Sequence, residues 1–507
     1  MAARGDARDV LPDAEALATA LEVLERVAAD RGVLSGLSAG DRVRLQKAAG
    51  QLARPDPDQR RRLRRALARG ERESKKARDG SLRRAAGIEV LRRAPKDATP
   101  PPPPGGVGAS PSSSEYGAPR KCYVCKERYL ERHHFYDQLC PRCGDENHAH
   151  RTVTADLRGR VALVTGARVK IGYQAALMLL RAGCRVVSLT RFPRDAAFRY
   201  AREPDFADWR DRLSLLGADL RHTGRVERLC RHLDARLSRL DFQIHNACQT
   251  VRRPPGFYAH LVAGELCSAR DLPPSLRELL SEDEELRSLG PVEARPPALL
   301  SQVPTEADLL PGTGGDLAPF PRNLFDQDLQ QVDRRTHNSW RLGLREVPTL
   351  ELLEVLLVNA AAPFLMTARL EGLMRRGGAA PPGTATSGDP ARHVVMVSAV
   401  EGQFYRQHKT DRHPHTNMAK AALNMLVRTS APDLLREGIH LNAVDTGWIT
   451  DEDPIHLSAR KAEEHGFAPP LDVVDGAARV LAPIMDGFRT GDHASGVFYK
   501  DYRPTAW

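Results

Sequence analysis

The run Val161-Ala-Leu-Val-Thr165, Gly166-Ala-Arg168-Val-Lys170-Ile171-Gly172, Tyr173-Gln-Ala-Ala-Leu-Met-Leu-Leu-Arg-Ala-Gly183 and Arg185-Val-Val-Ser-Leu-Thr190 decides the fold of this chain. The first five residues are apolar without alternation, as a strand buried on both faces requires. Two glycines bracket a turn, an apolar helix follows, and a second strand ends at Arg191. Strand, glycine turn, helix and strand within about 30 residues make a βαβ unit, whose helix N-terminus attracts a pyrophosphate. The expected fold class is therefore α/β, a doubly wound parallel sheet, reached near residue 155 and continuing to 507.

Upstream of this unit, Cys122-x-x-Cys125 and Cys140-x-x-Cys143 are separated by fourteen residues. Two thiolates two residues apart bind one metal from a tight turn, and two such turns complete a tetrahedral shell. The segment 121–150 is too small for a core of its own, so metal, expected to be zinc, would supply its folding energy. Four cysteines leave no open position, which argues against metal catalysis. His133, His134, His148 and His150 lie close enough in sequence for one to replace a thiolate.

Net charge is +10 over 507 residues, but residues 60–96 alone carry 15 Lys/Arg against four acids, so the rest is close to neutral. This excludes a uniformly basic protein that wraps nucleic acid and leaves one basic appendage, suited to nucleic acid or an acidic protein. Residues 1–95 read as a basic helical region. Leu17, Leu21, Leu24 and Ala28 suggest one helix, and Val43, Leu45, Ala48 and Leu52 another; the arginine-rich stretch beyond Pro55 is either a solvated helix or disordered. The Pro/Gly/Ser-rich residues 96–120 read as a linker and domain boundary. No apolar run approaches the roughly 18 residues of a membrane span, and the N-terminus lacks a signal core. Cysteine usage suits a reducing compartment, hence a cytoplasmic protein with no membrane partner.

Further matches in chain order make the sequence resemble the short-chain dehydrogenase/reductase superfamily. Thr165 to Gly172 is similar to its TGxxxGIG turn, Asp219-Leu220 to its adenine-contacting pair, and His245-Asn246-Ala247-Cys248 to its NNAG segment. Asn359 matches the structural Asn of the fourth helix, His393–Ser398 the strand before the catalytic serine, and Thr416-Asn-Met-Ala-Lys420 the YxxxK helix. Leu441 to Thr450 resembles the segment that closes on nicotinamide. The resemblance implies a Rossmann-type oxidoreductase moving hydride between nicotinamide and a carbonyl or alcohol carbon of a small molecule, and a homo-oligomer. Its cofactor site would comprise Gly166, Arg168, Lys170, Ile171, Gly172, Arg191, Asp219, Leu220, Asn246, Ala247, Lys420, Thr446 and Gly447. Arg168 and Arg191 stand where NADP-preferring members carry basic residues, since a guanidinium forks onto a ribose 2′-phosphate.

The catalytic positions depart from the pattern. Lys420 remains, but the tyrosine position holds Thr416, whose hydroxyl is a far weaker acid than a phenol. The serine position falls on Ala399, with Ser398 one residue early. Substitutes are expected in the loop Glu401–His415, with Tyr405 first and His413 or His415 next. The competing reading is a catalytically degenerate nucleotide-binding scaffold that recruits a partner through the knuckle and basic segment. Residues 250–345 form an insertion that opens with Arg252-Arg253-Pro254-Pro255-Gly256-Phe257-Tyr258 and should lie over the site, where its arginines would bind an anionic substrate or cofactor phosphates. Trp340 is expected to anchor its polar end.

Overall fold

The computed structural model describes residues 14–93, 115–290, 295–302, 319–326, 330–376, 390–405 and 409–507. The chain divides into two compact units, Met1–Ala77 and Arg78–Trp507. The first contains helices Ala14–Ala29 and Ala39–Ala53 and the start of Pro57–Arg84. Both apolar spacings are helical as expected, and the arginine-rich stretch is a helix. None of the unit's described residues with an assigned burial is buried, and Leu17, Leu21, Leu63 and Leu67 are exposed.

The second unit is built on an eight-stranded sheet. Two further strands, β1 (Glu115–Lys121) and β2 (Arg128–Glu131), form an antiparallel pair in the cysteine knuckle. The main sheet comprises β3 (Val161–Thr165), β4 (Arg185–Thr190), β5 (Leu213–Gly217), β6 (Phe242–His245), β7 (Arg392–Ser398), β8 (Ile439–Asp445), β9 (Phe498–Lys500) and β10 (Arg503–Thr505). Their order is β10-β9-β8-β7-β6-β3-β4-β5, parallel except for the β9–β10 pair. The chain winds outward in one direction from β3 through β4 and β5, then returns to lay β6 on the other side of β3. That reversal opens a crevice at the carboxyl ends of β3 and β6, where doubly wound sheets bind ligands. The expected fold is therefore observed.

Helices cover both faces. Lys170–Arg181 and Val473–Thr490 pack on one with Leu177, Leu180, Val480 and Ile484. Thr223–Arg236, Ala362–Arg376 and Pro414–Arg436 cover the other with Leu229, Met366, Leu370, Leu423 and Val427. The continuous helix Thr349–Arg376 is long and apolar enough to cross a membrane by composition, contrary to the sequence expectation. Met366, Leu370 and Leu373 face the sheet, whereas Leu350, Leu353 and Phe364 of the same helix are exposed.

Two domain limits need correction. Residues expected to close the basic helical region belong to the second unit, because Ala86 and Ile88 pack among Tyr116, Phe135, Tyr136 and Leu139 of the knuckle. The expected linker ends early, because Glu115–Lys121 is β1; its proline run lies outside the described residues. Much of the Pro/Gly-rich part of the insertion also lies outside them. The described part places Phe257, Tyr258, Leu261, Ala298 and Phe320 in one cluster with Phe192, seating the insertion beside the end of β4.

His245, last residue of β6, is buried and shares a 3.1 Å hydrogen bond with Thr367 Oγ1. Burial pushes its imidazole down to about 3. Between about pH 6.5 and 3 the unfolded chain binds a proton that the folded chain refuses, so stability should fall as pH drops through that window. His245→Asn should flatten the urea-melt slope between pH 7 and 5 by up to about 1.4 kcal/mol per pH unit; an unchanged slope would contradict this.

Candidate active site

A cleft of about 1100 Å³ runs along the carboxyl ends of β3, β4, β6, β7 and β8. Thirteen Lys/Arg and seven Asp/Glu line it, an excess of positive charge that fits an anionic ligand. Its floor is the first glycine turn. Gly166 holds φ +70, which an L side chain rarely adopts. A Cβ on Gly172 would stand 2.5 Å from Gly166 O and 2.3 Å from Asn246 Nδ2. Asn246 Nδ2 donates to the carbonyls of Thr165 and Gly166 at 3.1 and 3.3 Å, and Ala247 N donates to Thr165 Oγ1 at 2.9 Å. The ends of β3 and β6 are thus clamped together, with room for backbone only. Lys170, in the left-handed region at φ 55, opens the turn's helix. Its ammonium lies 3.7 Å from Glu452, a charge pair that ties the turn to the loop after β8.

The end of the cleft beside β4 and β5 carries paired charges. Arg168 is buried, bonded to Asp195 at 2.7 Å and set over the Phe192 ring. Arg191 donates to Tyr258 Oη at 2.7 Å and lies over that ring. Asp219 is buried in a fork with Arg221, which holds its carboxyl below the usual range against the upward push of burial, and Arg221 also bonds Glu354 at 2.9 Å. Leu220, Ile171, Thr446 and Gly447 line the cleft with them. Arg252 and Arg253 line it too, as expected of the insertion's opening, but each is held by a carboxylate, Glu354 and Asp333 respectively.

At the other end, the helix Pro414–Arg436 lines the cleft. Lys420 is buried and its Nζ donates to Val397 O at 2.7 Å. Ser398 ends β7, yet its hydroxyl donates to Asn424 Oδ1, one turn beyond Lys420, and so is already engaged. Ala399 lines the cleft without a hydroxyl. Asn359 sits in a π-turn, Leu357–Ala361, and its side chain binds the Gln249 backbone at 2.7 and 3.1 Å. It fastens the segment after β6 to its helix and does not itself line the cleft.

Thr416 is buried, does not line the cleft, and its hydroxyl has no hydrogen-bond partner. Tyr405, the first candidate for the missing acid, is 85% exposed and outside the cleft, because the loop turns its ring to solvent. The sequence reading is corrected there. His408 lies outside the described residues. His415 is buried with Nε2 3.6 Å from Glu351, away from the cleft. His413 does line it. It is 3% exposed, caps the Lys420 helix in the left-handed region at φ 43, and stacks on Trp340 with centroids 3.9 Å apart. Its Nδ1 has no hydrogen-bond partner. Burial holds this imidazole below its usual pKa, although Glu401 pulls the other way. His413, Asn417 and Lys420 recur at i, i+4 and i+7, one helical face, and all three line the cleft. That stripe was readable in the sequence; the Trp340 stack was not.

The four cysteines come together as expected, their sulfurs within 4.8 Å of one another. All four are free, and four thiols converging from two turns fit a tetrahedral soft-donor site. A second group, His133, His134 and Asp145, also converges. His133 Nδ1, however, accepts from Phe135 N and Tyr136 N, both at 3.1 Å, leaving Nε2–H directed at Asp145 at 3.2 Å. Its ring braces the knuckle and has no lone pair to offer a metal.

Comparison with known proteins agrees with this architecture. A profile of short chain dehydrogenases matches residues 160–259. An uncharacterized protein of Acanthamoeba polyphaga mimivirus is 31% identical over 386 residues, 72% of this chain and 71% of that one. The chain belongs to the short-chain dehydrogenase/reductase superfamily. A superfamily member of Pyricularia grisea is 26% identical over 202 residues, 37% of this chain and 81% of that one. Among solved structures, the Pseudomonas aeruginosa RhlG/NADP complex is 20% identical, covers 68% of this chain and 94% of its own, and has a TM-score of 0.40. A short chain dehydrogenase of Shigella flexneri is 15% identical, with 69% and 94% coverage and a TM-score of 0.39.

In this chain, Gly172→Ala should force the β3 turn away from Asn246. We expect a loss of about 1–3 kcal/mol in urea melts, the usual cost of overpacking; wild-type stability would show that the clamp is loose.

Proposed function

We propose that the chain is an NADP-dependent oxidoreductase acting between a carbonyl and an alcohol, with His413 in place of the missing tyrosine. The observation that carries this reading is His413 itself: buried, with an unpartnered Nδ1, held in a left-handed cap and aligned with Lys420 along one wall of a cationic cleft. A backbone conformation that costs free energy is retained where the surroundings over-determine it, and such sites cluster at catalytic centres. Bound nicotinamide supplies or takes the hydride. In reduction, His413 Nδ1–H gives its proton to the substrate oxygen as that oxygen takes up the carbonyl π pair; in oxidation, neutral Nδ1 takes the hydroxyl proton. The Lys420 ammonium, fixed by Val397 O, orients the ribose. Trp340 stacks on the imidazole and fixes its plane.

The clamp at Gly166, Gly172 and Asn246 leaves the backbone approach a pyrophosphate needs, and Arg191 stands at the end of β4 where a 2′-phosphate would meet a guanidinium. Arg168, committed to Asp195, steadies that wall. Arg191→Ala should weaken NADPH binding by about tenfold in fluorescence titrations and leave NADH nearly unaffected; equal losses would remove the phosphate assignment. The cysteine site is assigned to structural zinc, about one per chain, which requires a reducing compartment such as the cytoplasm. The exposed helix from Pro57 serves as a docking appendage for nucleic acid. Since residues from Arg78 belong to the catalytic unit, a deletion ending at Ala77 should leave NADPH affinity intact.

The scaffold reading draws on the engaged Ser398 hydroxyl and the absent phenol. The pH profile separates the two. A lowered imidazole pKa leaves the base form dominant at pH 7. Oxidation should therefore rise with pH through a value below about 6.5 and level off, while reduction should climb toward acid. His413→Gln should abolish that limb and lower kcat by 10²–10⁴, with NADPH affinity retained. A folded wild-type protein that binds NADPH but turns over no carbonyl panel would favour the scaffold.

A further inference from the structure

The knuckle reaches the cofactor cleft directly. Tyr123, between Cys122 and Cys125, lines the cleft together with Lys126. Its phenol oxygen accepts the backbone N–H of Trp448 at 2.9 Å, in the loop after β8. A Cβ on neighbouring Gly447 would stand 3.2 Å from that oxygen, and Gly447 holds φ +78. The loop and the knuckle are thus packed at backbone distance. Other ties run alongside. Gln138 donates to Ala468 O at 2.6 Å, Tyr136 donates to Asp475 at 2.5 Å, and Arg151 forks onto Asp472 and Asp475 at 2.8 Å. Ile449 and Leu471 share one apolar cluster with Cys122, Cys140 and Cys143.

We propose that the four-cysteine knuckle is a working part of the cofactor site: metal held by Cys122, Cys125, Cys140 and Cys143 sets Tyr123 against the Trp448 N–H, which fixes the loop Thr446–Thr450 over the nicotinamide end. Tyr123 is a positioning residue. Its backbone is fixed on both sides, since Cys122 N donates to Glu127 O, Tyr123 N to Gln138 O and Lys126 N to Cys122 O, at 2.9 to 3.1 Å. These bonds close the turn around the sulfurs, so the turn that binds metal and the turn that aims the phenol are the same. Four thiols crowded together without a cation lack any comparable cohesion, and in so small a segment metal affinity is folding free energy. Metal binding and cofactor binding are therefore coupled, and coupling of equilibria is reciprocal. The loop's hold on Lys170 through Glu452, at 3.7 Å, carries the same constraint to the glycine turn.

The inference rests on the zinc and cofactor readings above, and the test separates all three. Full-length protein would be assayed for bound zinc, stripped with chelator and reloaded, with circular dichroism following the α/β unit. NADPH fluorescence titrations would be run on each state. Stripping should weaken NADPH binding about tenfold and reloading restore it; NADPH should slow zinc loss to chelator. Tyr123→Phe should keep its zinc and weaken NADPH binding about tenfold, because the Trp448 N–H loses its acceptor. Zinc bound and NADPH bound, with equal affinity in Tyr123→Phe and wild type, overturns this inference alone. Absence of zinc uptake overturns the metal reading with it, and zinc uptake without NADPH binding overturns the cofactor reading with it. If stripped protein unfolds, Tyr123→Phe decides.

Discussion

A single buried guanidinium joins three separate segments of the second unit. Arg479, 1% exposed on the helix Val473–Thr490, donates to Thr446 O at 3.1 Å and to Asn147 Oδ1 at 2.8 Å, and pairs with Asp501 at 2.7 Å. Those partners belong to the loop after β8, the knuckle helix Pro141–His150 and the turn between β9 and β10. A charge so deeply buried is costly unless its neighbours satisfy it, and removing one partner leaves an uncompensated ion. Three chain segments far apart in sequence are therefore held in fixed relation. Gly447 follows from this: Arg479 Nη1 would lie 2.1 Å from any Cβ there.

The sheet was legible because its signals are local. Strand, glycine turn and helix lie within one short window, and apolar runs such as Val394–Val397 can be satisfied only inside a sheet covered on both faces. The cysteine pairs were legible because ligand spacing is itself local. The domain limits were not, because Ala86 and Ile88 carry no mark of the partner they pack against, and β1 is a strand only because β2 returns beside it. The helix Thr349–Arg376 illustrates the same limit. Its apolarity is equally suited to lipid and to a sheet, and only tertiary context distinguishes them.

The site divides along the same line. Gly166, Gly172, Asn246 and Lys420 were recognisable because each answers a backbone or charge requirement of the fold. Tyr405 was misjudged because residue chemistry says nothing about orientation in a loop, and its ring turns outward. Thr416 keeps the position of a tyrosine without reaching the cleft. The adjacent stripe of His413, Asn417 and Lys420 does reach it, because residues three, four and seven apart share a helical face. The family's acid and its lysine are one turn apart; here the imidazole lies two turns from Lys420, at the helix start.

A histidine at a helix cap has fewer helical neighbours to fix its ring than a residue within the helix. Trp340, supplied by the chain between β6 and β7, provides the missing wall, and Leu342 O accepts the His413 N–H at 2.7 Å. Arg341 pairs with Asp453, and Asn338 donates to Glu452 O at 2.8 Å, so the same short segment also grips the loop after β8. The insertion thus holds one side of the cleft and the knuckle holds the other through Tyr123. A dehydrogenase fold that has given up its usual phenol retains a shaped, cationic site because two additions, one before the sheet and one within it, brace the loop between them.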